Sequence, residues 1–338
     1  MPGTGAVGRA AERRHVPDPV TREWEERWWF DFATADGSLA GYARLALRAG
    51  ERVAWWWAAV VGESRPLVTV RAHDIRIPAQ GTEVRTDGVW ACLTCEEPDE
   101  HWSVGLEAFG VALDDPLEAW GDERGDVVPF GLDLEWEAAA PVEPLGPHSS
   151  GRQSEGYAQC CTVHGDVLIG DERIEVDASG HREHAWGVSE LARFPGWRVS
   201  APGVEAGPLW GRSEGLGGGS EGLGGGFEGL GGGSEGLGGL SDELRGRSNG
   251  LTGLAHEAVG GWARLAGDLP RPSELLTEWG ADGLPQRATA TVEAVSYLVE
   301  PVSFAPVAVP GMRVVHALCR VQGRPGHEPT PAWVSWWR

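Results

Sequence analysis

Period-two alternation runs through most of this chain. Trp28, Phe30 and Phe32 alternate with Trp29 and Asp31, and Leu39, Gly41, Ala43, Leu45 and Leu47 alternate with Tyr42, Arg44 and Arg48. Trp102, Val104, Leu106 and Ala108 alternate with Ser103 and Glu107, and Leu132, Leu134 and Trp136 with Asp133, Glu135 and Glu137. Successive side chains of a strand point to opposite faces, so each run offers one face to a core and one to water. Turn formers such as Asp36-Gly37, Asp87-Gly88 and Pro98-Asp99 separate the runs. Strands joined in this way predict an antiparallel, mostly-β protein.

Residues 1–20 are Gly-, Ala- and Arg-rich without a period and are expected to be disordered. A first β unit is expected over 21–140, a linker rich in Pro, Gly and Ser over 141–156, and a second β unit over 157–338. In the second unit, strand patterns run from Tyr157 to about Val199, from Arg287 to Val299, from Met312 to Val321 and from Trp333 to Arg338, with a short helix near Leu254–Leu265. Residues 213–239 repeat Ser-Glu-Gly-Leu-Gly-Gly-Gly in tandem, one copy starting at Phe227. One leucine per copy makes no coiled-coil seam, and each glycine costs a helix about 1 kcal/mol. The repeat is expected to be a flexible, dispensable Gly-rich insertion.

Composition narrows the function classes. The length, 338 residues, favours two domains. A net charge of −22 argues against nucleic acid and against anionic membrane surfaces. The longest apolar run, Val53–Val61 with Trp55, Trp56 and Trp57, is far short of the roughly 20 residues of a spanning helix. Arg13 and Arg14 have no apolar stretch behind them, and five cysteines make an odd count, so no export signal or disulfide framework is expected and the location is expected to be cytoplasmic. The chain has no lysine, which removes Schiff-base chemistry, pyridoxal phosphate and the P-loop. Eighteen tryptophans fit wide apolar interiors, and equally a core that uses Trp where others use Phe.

Pattern matches without their structural context carry little. Gly3-Thr4-Gly5-Ala6-Val7-Gly8 fits a dinucleotide fingerprint but no strand precedes it. Gly211-Arg212-Ser213-Glu214-Gly215 and its repeats fit a hydrolase elbow that a glycine repeat cannot hold. Cys92 and Cys95 lie in a strand pattern with no second pair, which favours packing over metal or redox chemistry.

Chemistry concentrates in Gly180-His181-Arg182-Glu183-His184-Ala185-Trp186-Gly187, after the strand-like run Asp171–Asp177. Its histidines do not have the His-Glu-x-x-His spacing of helical zinc sites, so no metal is expected. Two readings remain open. One is an ion-paired turn, Arg182 with Glu183 or Asp177. The other is an acid–base pair of Glu183 and His184 beside the Trp186 indole. Burial would raise the Glu183 pKa, and Arg182 or a protonated His184 would lower it.

The segment resembles the Gly-x-Arg-Asp-His-Ser-Trp-Gly signature of the carotenoid 1,2-hydratase (hydroxyneurosporene synthase)/AttH-like family. Trp28-Trp29-Phe30-Asp31-Phe32 is similar to that family's aromatic opening strand. Leu132-Asp133-Leu134-Glu135-Trp136 resembles the end of its first domain, and Tyr157, Gln159 and Gly165 the start of its second. The resemblance covers most of 20–200 and, more weakly, 270–320. It implies two consecutive lipocalin-like β-barrels and hydration, isomerisation or cyclisation of a hydrophobic, terpenoid- or polyketide-like small molecule without a cofactor. Carried over, Glu183 stands at the motif Asp as the acid that protonates an alkene or enol, and His184 positions it or a water. Trp186 and Arg182, with Trp28 and Trp57, would line the ligand. Glu183 is one methylene longer than the motif Asp, and Ala185 replaces a Ser or Asn. Two further hypotheses share these residues: a non-catalytic lipocalin-like binding protein for an apolar ligand, and a structural relative with a filled interior.

Overall fold

The alternating runs pair into two closed antiparallel barrels. The computed structural model describes residues 11–145, 154–189, 196–200, 209–212, 255–263, 271–292, 295–322 and 329–337. The first unit contains β1 (Trp24–Ala33), β2 (Ala40–Arg48), β3 (Val53–Gly62), β4 (Arg65–Arg76), β5 (Val84–Thr86), β6 (Val89–Glu97) and β7 (His101–Leu113). A 3-10 turn at Pro116–Trp120 leads to β8 (Asp126–Ala138), β9 (Glu143–Pro144), β10 (Ser154–Ile169) and β11 (Glu172–Val188). Hydrogen bonding runs β4-β3-β2-β1-β11-β10-β8-β7, and Leu67–Thr69 of β4 then pair with Val111–Leu113 of β7, closing eight strands into a ring.

The second unit contains β12 (Gly196–Ser200), β13 (Leu209–Arg212), β14 (Ala255–Ala263), β15 (Arg271–Trp279), β16 (Pro285–Val292), β17 (Val295–Val309), β18 (Met312–Gln322) and β19 (Thr330–Trp337). Each pairs with its chain neighbour, and β12 pairs with β19 to close the barrel. Two eight-stranded antiparallel barrels in succession are the lipocalin-like arrangement that the sequence resemblance implies. Among the described residues, no helix is long and apolar enough to cross a membrane.

The apolar run in β3 is explained by two-sided burial. Trp28, Phe30, Leu45 and Trp56 point into the first barrel, where they meet Trp102, Leu134 and Trp136. The alternate residues Trp29, Tyr42, Trp55 and Trp57 point outward and pack with Val307, Val314, Leu318, Trp333 and Trp337 of the second barrel. The outer face of β3 is thus covered by a second core, so that strand needs no polar face. The Trp333 indole donates to the Phe32 carbonyl across this junction at 2.9 Å. Each buried indole removes about 150–250 Å² from water, on the order of 4–6 kcal/mol at 25 cal/mol per Å².

Three sequence expectations differ from the structure. The linker expected at 141–156 does not separate two sheets: β10 and β11 lie between β8 and β1 and complete the first barrel. That closure pairs β1 with residues about 150 positions away, which local periodicity does not reveal. Residues 11–15, expected to be disordered, run over the mouth of the first barrel, with Glu12 buried. The stretch read as a helix near Leu254–Leu265 contains strand β14, whose backbone groups are claimed by β13 and β15. The glycine repeat at 213–239 and residues 1–10 lie outside the described residues.

Candidate functional site

The segment Gly180–Gly187 is a continuation of strand β11, not a turn. It is held on both edges: His184 is level with Trp28 of β1 and Tyr157 of β10, and Arg182 with Phe30 and Gln159. Gly180 permits the close passage of β1, because a Cβ there would sit 2.1 Å from the Asp31 carbonyl oxygen. Gly187 has φ 126°, a conformation that favours glycine. Strand alternation then sends Arg182, His184 and Trp186 into the first barrel and His181 and Glu183 out toward the second.

The inner face carries an aromatic cage around His184. Its imidazole stacks on Trp28 with ring centroids 4.4 Å apart and meets Tyr157 edge-on at 5.8 Å. Its Nε2 lies 2.9 Å from Glu26 Oε1, while Nδ1 has no partner. Burial works to raise the Glu26 carboxyl, but hydrogen bonds from His15 and His184 outweigh it and hold Glu26 below the ordinary range. Glu26 is therefore a carboxylate that only accepts, so His184 Nε2 carries the proton. Burial pushes the His184 pKa down, only partly offset by Glu26. At neutral pH this leaves a neutral ring with a bare Nδ1 lone pair. Arg182 sits beside this cage, its guanidinium 5.1 Å from the Tyr157 ring and 5.8 Å from that of Trp102.

Residues 11–15 close this face. Glu12 binds Arg182 at 3.2 Å and accepts the Tyr157 hydroxyl. His15 stacks on Trp186 at 3.6 Å and donates its backbone N–H to Glu26. Burial raises the Glu12 carboxyl, but Arg182, Tyr157 and the Asp99 amide together bring it below the ordinary range.

The outer face is a separate polar cluster. Glu183 pairs with Arg27 at 3.1 Å, both buried. Asp31 lies 3.4 Å from His181 Nδ1 and accepts the Trp29 indole N–H at 2.7 Å. Burial lowers the His181 pKa, yet Asp31 and Cys160 outweigh it and lift it to about 9. Trp57 donates to His73 at 2.6 Å and lies under the Arg44 guanidinium at 4.4 Å. Burial and the nearby Arg71, Arg44 and Arg48 push His73 down to about 4, so it accepts as a neutral ring.

The structure thus brings together His184, Trp186, Arg182 and Trp28 of the sequence-derived set. It places Glu183 and Trp57 on the opposite face of the sheet, and Arg182 pairs with Glu12 rather than with Glu183 or Asp177. Sequence reasoning missed Glu12, His15 and Glu26. Glu25-Glu26-Arg27 is a charged triplet heading an aromatic strand, a legible anomaly; Glu12 and His15 carried no signal. Tyr157 and Gln159 share a face by their spacing, and it is Arg182 that gives that face its chemistry. Among the described residues, His15, Glu26 and His184 offer donor atoms within 4.8 Å of one another, a set able to hold a metal ion. Histidines that ligate metals usually donate their other ring N–H to a second group. His184 Nδ1 has no such acceptor, and the 2.9 Å contacts of His15 and His184 with Glu26 are ordinary hydrogen-bond distances.

Solved structures share the architecture. A protein of Nitrosomonas europaea assigned as AttH aligns with a TM-score of 0.60 and 13% identity, over 99% of this chain and 97% of its own. Kievitone hydratase from Nectria haematococca aligns with a TM-score of 0.53 and 11% identity, over 97% of this chain and 93% of its own. At these identities the likeness is one of fold. No curated protein sequence matches significantly. A family model described as a domain of unknown function, DUF7064, matches residues 8–202. That span is more than half of the chain and contains the whole first barrel with both charged faces of β11: the chain belongs to the DUF7064 family.

Proposed function

We propose that the first barrel takes up a hydrophobic small molecule and performs cofactor-independent acid–base chemistry on it, with His184 as the base. The observation that carries this reading is the His184–Glu26 dyad. A neutral, buried imidazole presents an unpartnered Nδ1 among Trp28, Tyr157 and Trp186 while a carboxylate fixes its tautomer. A lone pair so held can accept a proton and return it, as hydration, isomerisation or cyclisation of an apolar substrate requires. The conjugate imidazolium would be stabilised by Glu26 and by the indole faces. Glu183 has no part in this step; its role is to pair with Arg27.

The segment's likeness to the carotenoid 1,2-hydratase/AttH-like signature points to a terpenoid- or polyketide-like substrate, and one structural neighbour is by name a hydratase. Three indole N–H groups inside the first barrel, of Trp28, Trp56 and Trp102, have no partner. Buried indoles usually find an acceptor, and a bound molecule would supply one. The test is mass spectrometry of small molecules that co-purify, followed by turnover of the identified compound by wild type and His184→Gln. Turnover lost with binding retained supports the base role. Turnover unchanged in His184→Gln rejects it. Binding with no turnover in wild type makes the barrel a binding protein.

A further inference from the structure

The most elaborate polar construction inside the first barrel serves a single carboxylate. Arg182 is aimed by Gln159, whose Oε1 accepts from Arg182 Nε at 2.6 Å. Gln159 is itself fixed, donating to the carbonyls of Asp99 and Ala140 at 2.7 and 2.9 Å. The Arg182 NH1 donates to the Tyr157 hydroxyl at 3.1 Å. The two terminal nitrogens of Arg182, the Tyr157 hydroxyl and the Asp99 amide then converge on one point, where they hold both oxygens of Glu12. A planar fork, a hydroxyl and a backbone N–H make a complete carboxylate receptor. Apart from Glu12, its parts come from strands β10 and β11 and from the turn between β6 and β7.

Glu12 is different in kind. It sits on a strap, and among the described residues no backbone–backbone hydrogen bond joins residues 12–17 to a strand. The strap is fastened through Glu12, through Arg14 to the Pro78 carbonyl at 2.6 Å, and through His15 to Glu26 and Trp186. A buried arginine needs an anion, but the receptor does not require that anion to be covalently attached. The same Arg182 lies against the Trp102 ring, and the unpartnered indole N–H groups of Trp28, Trp56 and Trp102 lie in the same core.

We infer that the Arg182–Tyr157–Asp99 amide cluster is the binding site for a carboxylate on the apolar molecule, and that Glu12 is an internal ligand which the incoming carboxylate displaces. The ligand is then an amphipathic acid: a carboxylate at the mouth and an apolar body among the indoles. Its entry releases the strap, uncovering the His184–Glu26 dyad in the same movement, because His15 and Glu12 lie on one short segment. The inference rests on the reading of the first barrel as an apolar-ligand barrel.

Fluorescence titration of the full-length chain with cis-parinaric acid and with its methyl ester tests it. The two probes share an apolar body and differ in the anion. Removing the competing carboxylate in Glu12→Ala is expected to tighten the acid about tenfold or more and to leave the ester within about threefold. Adding Arg182→Met to Glu12→Ala removes both buried charges together and is expected to abolish the gain. Equal gains for acid and ester in Glu12→Ala would make the strap a steric cover and overturn the anion site. Unchanged affinity for both probes would make Glu12–Arg182 a permanent clamp and overturn it likewise, while leaving the apolar-ligand reading standing. Failure of both probes to bind any variant would overturn the two readings together. Should Glu12→Ala not fold, Glu12→Gln keeps the shape without the charge and takes its place. Loss of folding in both makes the pair structural and rejects the inference.

Discussion

Glu183 and His184 are consecutive residues whose side chains leave opposite faces of strand β11. Glu183 meets Arg27 at 3.1 Å between the barrels, and His184 meets Glu26 at 2.9 Å inside the first barrel. The pair that the sequence suggests as partners therefore never meet, and each has its charge partner on β1 instead.

That separation makes a thermodynamic prediction. Glu183→Gln strips the charge from a buried pair and should cost about 3 kcal/mol or more in unfolding free energy. Combining Glu183→Gln with His184→Gln should be additive within about 0.5 kcal/mol, despite their adjacency, because they share no partner. A cycle of Glu183→Gln with Arg27→Met should instead show coupling of about 1–3 kcal/mol. Denaturant unfolding of the five variants and wild type measures all three quantities; strong coupling between 183 and 184 would contradict the placement of the faces.

Alkaline pH should weaken the junction between the barrels through His181. Its folded pKa is lifted to about 9 from 6.5 by Asp31 and Cys160 against burial. The folded state therefore binds a proton that the unfolded chain releases. The contribution to stability is complete below about 6.5 and is lost as pH rises through about 9. Unfolding free energies measured from about pH 6 to about pH 10 should fall in wild type and flatten across that window in His181→Asn. Parallel curves for the two proteins would refute the pairing.

Acid should release the strap. Glu12 and Glu26 both have folded pKa values below 4.5, their burial outweighed by Arg182 and by His15 and His184 respectively. Stability from these groups is present above 4.5 and is lost as pH falls through their folded values. Hydrogen exchange of the amides of 12–15 and the fluorescence of Trp186, which lies under His15, should both change in that acid range, before global unfolding. Coincidence of the strap signal with global unfolding would show that the strap does not open on its own.

Gly180 should tolerate no side chain. A Cβ would meet the Asp31 carbonyl at 2.1 Å and the Val163 methyl at 2.7 Å, both in packed strands. Gly180→Ala should destabilise by about 3 kcal/mol, the upper end of ordinary overpacking, read as a lower melting temperature. Gly37, whose added Cβ would meet nothing within 4 Å but whose φ is +71°, serves as a control for backbone strain alone.

Much of the fold was legible because strand periodicity is local. The alternation in Trp28–Phe32, Leu39–Leu47, Trp102–Ala108 and Leu132–Trp136 became strands β1, β2, β7 and β8, with their apolar members inside the first barrel. The Gly180–Gly187 segment was legible as the place where ionisable side chains crowd together, because such groups are rare in a barrel wall. The face that each of its charges takes was not, since two histidines, an arginine and a glutamate make no apolar alternation.

The sequence by itself determined the strands, their antiparallel connection, and the concentration of charge in β11. Tertiary structure decided what those charges do. Whether Glu183 lies with His184 depends on the pleat, and whether Arg182 has a partner depends on Glu12, which comes from 170 positions away. Closure of the first barrel by β10 and β11 depends on β1 pairing with a strand about 150 residues on. Local patterns carry the period of a strand, but they carry neither its neighbour nor the side chain that crosses the mouth of the barrel. Those follow from which pairing buries the most apolar surface while leaving no charge in the interior without its counter-charge.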